Sequence, residues 1–409
     1  MSRIGGIGAD HRPADTDVRP PWTLPPWPWY GSDERAAADA VLASGRVNYW
    51  TGEEGRAFER EYASHLNAKH AIALANGTLA LELPLRCWGI GPGDEVVVTP
   101  RSFMASVSCA VLQGATPVFA DVEPDSGNIS ARSIERVLTP RTRAVIPVHL
   151  AGWPCDMAPI MELAREHGLK VIEDCAQAHG ALYRGSPVGS IGDAGAFSFC
   201  QDKILTTAGE GGLLATNDDV MWRAAWAFKD HGKGWGAVYN TKHPPGFRWL
   251  HESFGTNWRL TELQSAIGRL QLRKLTGWQA ARARNAARYI EAFQKLDLVR
   301  VPVPAPDLRH AWYKFYVYVR PEALKIGWSR DRLMTEINQR EVPCFAGSCS
   351  EIYLEKAFEG THFRPQQRLE VARQLGETSL MFLVHPTLTE NDVGRMAEIA
   401  AEVVRSATR

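Results

Sequence analysis

From about residue 70 to residue 217, short apolar or β-branched runs alternate with stretches whose apolar positions recur every three or four residues. The runs cover 71–75, 95–99, 116–122, 144–150, 171–174, 194–199 and 212–215, and the stretches 78–88, 103–113, 131–138 and 157–168 read as helices between them. Short strands that lack polar alternation, separated by helices, belong in a sheet covered on both faces. The pattern predicts an α/β architecture built on a seven-stranded, mostly parallel sheet.

The flanks read differently. Two helices are expected at 33–44 and 54–66, the second with Phe58, Tyr62 and Leu66 on one face. Residues 1–32 are polar and proline-rich, ending PPWTLPPWPWYGSDE. They form an arm without a core of its own, expected to lie on a surface such as that of a partner subunit. After a helix at 219–229, residues 232–255 are rich in Gly, Pro, His and aromatics without periodicity, the mark of a functional loop. Helices at 259–275 and 278–296 follow, then a linker marked by Pro302, Pro304 and Pro306. A strand at 312–319 and helices at 330–340 and 389–406 complete the chain. This divides it into an arm (1–32), a large domain (33–279) and a smaller α+β domain (280–409).

Composition narrows the function. The chain has 409 residues, 45% hydrophobic and 22% charged, enough for two domains. Lys+Arg and Asp+Glu both number 46, so no basic field invites nucleic acid or an anionic membrane. No apolar run reaches the ~18–20 residues of a membrane span, and no apolar leader opens the chain, so a cytoplasmic location is expected. The seven cysteines are irregularly spaced and include no C-x-x-C, which points to reduced thiols and no metal site.

The stretch 171–217 carries the chemistry. Asp174 ends an apolar run, where a buried carboxylate calls for a cationic partner; a local helix cap is the alternative. Gln177 follows three residues on, Ser198 twenty-four on and Lys203 twenty-nine on, and then Gly209-Glu210-Gly211-Gly212. An acid can hold a protonated ring nitrogen, a hydroxyl can hold a phosphate, and a lysine in a desolvated pocket can attack a carbonyl. These are the parts that hold pyridoxal phosphate. Asn76-Gly77-Thr78 turns from a strand into a helix and offers free N–H groups to the phosphate. Phe103, just past another strand, is either a core residue or a ring that stacks on the cofactor. His179 is a further candidate for the same pocket.

The segments EDCAQAHGALYRG (173–185) and VGSIGDAGAFSFCQDKILTTAGEGG (188–212), with NGTLALEL (76–83), GDEVVVTPRSF (93–103), FGTNWRLTELQSAIG (254–268) and LVHPTLTENDV (383–393), closely resemble the DegT/DnrJ/EryC1/StrS sugar aminotransferases. The resemblance spans most of the chain. It implies a three-layer, fold type I (aspartate aminotransferase-like) pyridoxal-phosphate transferase. Lys203 is then the Schiff-base lysine and proton shuttle, Asp174 the partner of the pyridinium, and Gln177 the contact to the ring oxygen. Ser198 with Gly77 and Thr78 forms the phosphate cup, and Phe103 stacks on the ring. Asn257, supported by Arg259, reaches the phosphate of a neighbouring subunit, so a homodimer with shared active sites is expected. The implied substrates are an amino-acid donor, glutamate or glutamine, and a nucleotide-linked keto-sugar. An aminocyclitol ketone, or a non-catalytic regulator on the same fold, is the alternative. Lys203 is intact, which argues against the dehydratase branch, where histidine replaces it. Tyr49, Trp50, His149, Lys229, His231 and Tyr313, with Lys233, Lys242 and His243, are candidates to touch the sugar or its diphosphate.

Overall fold

All seven expected strands lie in one sheet, and it positions every element of the site. The computed structural model describes residues 24–409. Across the sheet the order is His70–Leu74, Gly212–Thr216, Ala194–Ser198, Lys170–Asp174, Thr142–Ile146, Glu95–Val98 and Thr116–Phe119. Gly212–Thr216 pairs antiparallel with both its neighbours, and the other pairings are parallel. Glu95–Val98, Ala194–Ser198 and Gly212–Thr216 are buried along their length, as a sheet covered on both faces requires.

One face is covered partly by the helix Glu54–Leu66, whose Phe58, Tyr62 and Leu66 are at most 1% exposed. They recur every fourth residue, so one helical face seals against Phe197, Phe199 and Leu213. The other face takes the helices Gly77–Cys87 and Asp219–Lys229 through Leu81, Leu83 and Trp226.

A second sheet, in the order Val299–Arg300, Phe315–Val319, Ser379–Phe382 and Cys344–Phe345, is antiparallel throughout. Its core is an aromatic stack: Tyr289 lies 5.2 Å from Phe315 and 5.0 Å from Phe382, ring centre to ring centre.

The structure corrects the expected break near residue 276. Glu262–Phe293 is a single helix of 32 residues, capped by Thr261, whose side chain accepts from Gln264 N–H while Gln264 reaches back. Gly277 lies inside it, and a Cβ there would meet nothing within 4 Å. Leu275, Ala281 and Arg282 are buried on either side of the glycine, so packing overrides its weak helix propensity. The first half of this helix packs on the large sheet's helices and the second half carries the aromatic stack.

Residues 1–23 lie outside the described residues, and with them most of the expected arm. From Leu24 on, the arm makes contacts with its own subunit. Thr387 donates to the Pro26 carbonyl, and Arg282 lies over the Trp27 ring, 5.1 Å from its centre. The loop at 232–255 holds a short helix, Trp235–Tyr239, and is pinned by Gly234 N–H to the Leu250 carbonyl. All seven cysteines are free thiols. Among the described residues no helix is long and apolar enough to cross a membrane.

Candidate active site

The carboxyl ends of the parallel strands meet at one edge, where an open α/β sheet offers a crevice. Four of those ends deliver the predicted residues. His70–Leu74 leads into Asn76-Gly77-Thr78, and Glu95–Val98 into Ser102-Phe103; Lys170–Asp174 ends on Asp174 and Ala194–Ser198 on Ser198. Together with Gln177 and Lys203 these line one cavity of about 440 Å³.

Asp174 is 3% exposed. Its carboxylate accepts from the Ser106 hydroxyl at 2.7 Å and the Ala176 N–H at 3.1 Å, both neutral donors. Burial holds its carboxyl above the usual carboxylate range, against the pull of those two hydrogen bonds and of Lys203. The carboxylate therefore lacks a cation, which a protonated ring nitrogen would supply. Gln177 turns its Oε1 to the Ala151 N–H at 2.8 Å, leaving the amide N–H groups to donate elsewhere.

Asn76 caps the helix Gly77–Cys87 by accepting from Leu79 N–H at 3.0 Å, which leaves the first N–H groups of the helix turned outward. Gly77 is required: a Cβ there would sit 2.6 Å from Ser198 Cβ, so the turn and the serine close around one spot. Gly212 is required too, because its Cβ would fall 2.2 Å from the Asn76 carbonyl. Phe103 is 70% exposed and lines the cavity, so it is no core residue. The donor set and the buried, uncompensated carboxylate thus fit pyridoxal phosphate.

Lys203 also lines a second chamber, about 460 Å³, that continues the first past Ser102, Phe103, Gln177 and Asp202. The smaller unit supplies its other wall, including Tyr313, Lys314, Tyr316 and Gly347. The Lys203 amine faces the Tyr313 ring, 5.2 Å from its centre, and Asp202 at 3.8 Å; the Tyr313 hydroxyl donates to Asp202.

Several predicted substrate contacts lie elsewhere. His149 is fully buried, taking the Cys155 N–H on Nδ1 and facing Glu173 through Nε2 at 3.1 Å. The Glu173 carboxylate also accepts from the N–H groups of Gly189, Ile191 and Gly192, so the pair is a structural brace. Lys229 is fully buried as well, 3.3 Å from Glu59 and 3.8 Å from the centre of the Tyr49 ring, and burial lowers its amine. Tyr49 is bonded to Glu59, and Trp50 lies under Lys233 at 4.0 Å. Lys229, Glu59, Tyr49, Trp50 and Lys233 form a mixed aromatic and charged cluster apart from the Lys203 cavities. His179 is tied between the Tyr62 hydroxyl and the Ser198 carbonyl, both at 2.8 Å, and burial pushes it down to about 3. It braces the strand from behind and does not line the cavity. Of the predicted substrate residues only Tyr313 reaches the chamber. His231, Lys242 and Asn257 are exposed and outside the lining of their own chain's cavity; His243 bonds the Ala237 carbonyl.

The sequence reading missed Ser106, Asp202 and Lys314. Ser102 and Ser106 are four residues apart, with hydroxyls 2.8 Å from each other, in a stretch whose only other hydroxyl is Ser108, and that spacing was the available signal. Lys314 falls in the alternating run 312–319, just before the strand Phe315–Val319, where a charged residue reads as ordinary solvent-facing alternation.

Sheet order, layering and a strand-edge cavity shared by a lysine and a buried carboxylate define the fold type I transferase class. The profile of the DegT/DnrJ/EryC1/StrS aminotransferase family matches residues 29–400. An aminotransferase crystal structure from Psychrobacter cryohalolentis is 55% identical, with a TM-score of 0.93, covering 94% of this chain and all of its own. GDP-perosamine synthase of Caulobacter vibrioides is 37% identical over 87% of this chain and 92% of its own. UDP-N-acetyl-3-dehydro-alpha-D-glucosamine 3-aminotransferase of Acidithiobacillus ferrooxidans is 37% identical over 86% and 89%. The chain belongs to the DegT/DnrJ/EryC1/StrS aminotransferase family.

Proposed function

We propose that this aminotransferase uses pyridoxal phosphate to move an amino group from glutamate or glutamine to a ketone on a nucleotide-linked sugar. The observation that carries the reading is the shared cavity of Lys203 and Asp174, opening past Lys203 into a chamber large enough for a second molecule. When bound, pyridoxal phosphate supplies an electron sink for charge developing on the amino carbon. The chain's own residues do the rest. Asp174 keeps the ring nitrogen protonated, with the Ser106 hydroxyl fixing the carboxylate. The Gly77 and Thr78 N–H groups and the Ser198 hydroxyl hold the phosphate. Gln177 would donate its amide to the ring oxygen, and Phe103 would stack on the ring. Lys203 Nζ takes the proton from the donor's α-carbon and, in the second half-reaction, delivers one to the sugar carbon.

In this reading the working unit is a homodimer. Asn257 is exposed three residues after Phe254, and Phe254, Phe247 and Trp249 are apolar side chains 77–101% exposed. A second subunit covers this face and receives Asn257 in its phosphate cup, with Arg259, bonded to Asp230 at 2.7 Å, steadying the loop. The division into an arm (1–32), a large domain (33–279) and a small domain (280–409) belongs to the same proposal, as does a cytoplasmic location, which suits seven free thiols. Relatives equally similar to this chain carry GDP and UDP in their names, so overall identity does not select the nucleotide.

The test is direct. Purified protein reconstituted with pyridoxal phosphate is expected to be coloured, and Lys203→Ala to be colourless. Glutamate and glutamine are then paired with UDP-, GDP- and dTDP-keto-sugars, and ping-pong kinetics are expected. A colourless wild-type protein overturns the proposal.

A further inference from the structure

The outer chamber is lined by the titratable groups Asp202, Lys203, Tyr313, Lys314, Tyr316, Cys349 and Glu355. Asp202 is engaged by Tyr313 and faces Lys203. Lys314 is not engaged: among the described residues its ammonium makes no hydrogen bond or ion pair. It lies over the Tyr313 ring, 4.8 Å from the centre, and Lys203 is 5.2 Å from the same centre. Burial pushes the Lys314 amine down to about 8, with Arg282 and Lys203 acting in the same direction and Asp202 against. A partly buried ammonium without an anion, on the ring that the reactive lysine shares, suits an anion carried by the molecule that reacts there.

We propose that Lys314 seats the α-carboxylate of the amino donor. The inference rests on the transaminase reading and deepens it. The α-carboxylate is attached to the carbon that gives up the amino group, so it must lie beside Lys203 whichever amino acid serves as donor. A sugar diphosphate is separated from its reacting ketone carbon by the sugar ring and lies further out. Of the cations near Lys203, Arg282 is 1% exposed, bonded to the Trp312 and Tyr313 carbonyls and overlain by Trp27. Lys314 is the one that opens on the chamber.

The test follows the cofactor's visible band during the donor half-reaction, with sugar absent, in wild type, Lys314→Gln and Lys314→Arg. L-glutamate, L-glutamine and 4-aminobutyrate are compared; glutamine lacks the side-chain carboxylate and 4-aminobutyrate the α-carboxylate. Losing one charge-assisted contact is expected to weaken glutamate and glutamine alike by ~30-fold in Lys314→Gln and to leave 4-aminobutyrate unchanged. Lys314→Arg recovers most of the loss. Calorimetric titration of glutarate, which requires no turnover, is expected to weaken in the same variant. The KM for keto-sugar in the second half-reaction stays within about twofold. Loss for glutamate but not glutamine would assign the lysine to the side-chain carboxylate. A raised sugar KM would assign it to an anion on the sugar, and no change would make it a bystander; each of these overturns the proposal. If wild type shows no spectral change with any donor, the transaminase reading fails, and the glutarate titration still reports on Lys314.

Discussion

The indole N–H of Trp27 donates to the backbone carbonyl of Lys203 at 2.9 Å. The same ring meets Trp278 edge-on at 5.2 Å and stacks on His385 at 6.2 Å, with Arg282 over it. One side chain from the proline-rich segment therefore joins the long helix, the smaller unit and the turn that carries Lys203.

Trp27→Phe removes the donor and leaves the Lys203 carbonyl without it. Thermal unfolding is expected to report a loss of about 1–2 kcal/mol, and cofactor retention on dialysis is expected to fall with it. Trp29→Phe, at a residue 52% exposed, is the matched control and is expected to change neither. Equal effects at both positions would mean that the arm contributes bulk rather than this bond.

Asp174 gives a pH signature. Burial raises its carboxyl in the cofactor-free fold, so the folded state binds that proton more tightly than the unfolded chain does. The associated stability is complete below about pH 3.9, the ordinary aspartate value, and is lost as pH rises through the folded value. At pH 7 the ionised group is a liability in the empty site. Cofactor-free Asp174→Asn is expected to melt above wild type at pH 7, with the gap closing toward pH 4. With pyridoxal phosphate bound the order is expected to reverse, because the variant lacks the counter-charge. A gap that ignores pH would show that the carboxylate already has a cation.

Two glycines make an opposed pair. Gly77→Ala drives a Cβ against Ser198 and is expected to destabilise by about 1–3 kcal/mol and to abolish cofactor binding. Gly277→Ala has open space and helical neighbours, so a gain of about 0.5–1 kcal/mol is expected from calorimetry.

Complementation tests the shared site. Lys203→Ala and Asn257→Ala subunits are each expected to be nearly inactive alone. Mixed and refolded together, they form some dimers with one intact site. Recovered transaminase activity is expected, to about a quarter of wild type if assembly is random; no recovery would mean that each chain supplies its own phosphate contacts.

The strands were legible because each is a short apolar run fenced by helical spacing, and burial on both faces leaves no other use for such a run. That Asp174, Gln177, Ser198 and Lys203 would share one cavity was legible because they hold chemistry at spacings that strand ends reproduce. His149 and Lys229 misled because polarity in a sequence does not report burial: a brace to Glu173 and a pair with Glu59 read like ligand contacts until the partners are known. Lys314 and Trp27 were opaque for the converse reason. Their roles depend on the second unit folding back over the first, a juxtaposition of residues more than a hundred positions from Lys203. The long helix reads as two in sequence because spacing does not report the packing of Leu275, Ala281 and Arg282 that carries it across Gly277.

That helix, Glu262–Phe293, spans about 48 Å at 1.5 Å per residue. A spar embedded in both halves of the enzyme leaves no free hinge between them. Admission of so bulky an acceptor then falls to the rim, where segments such as 345–349 are short enough to be exchanged. Grafting that rim from a relative of different sugar preference is a route to altered selectivity that leaves the catalytic floor untouched.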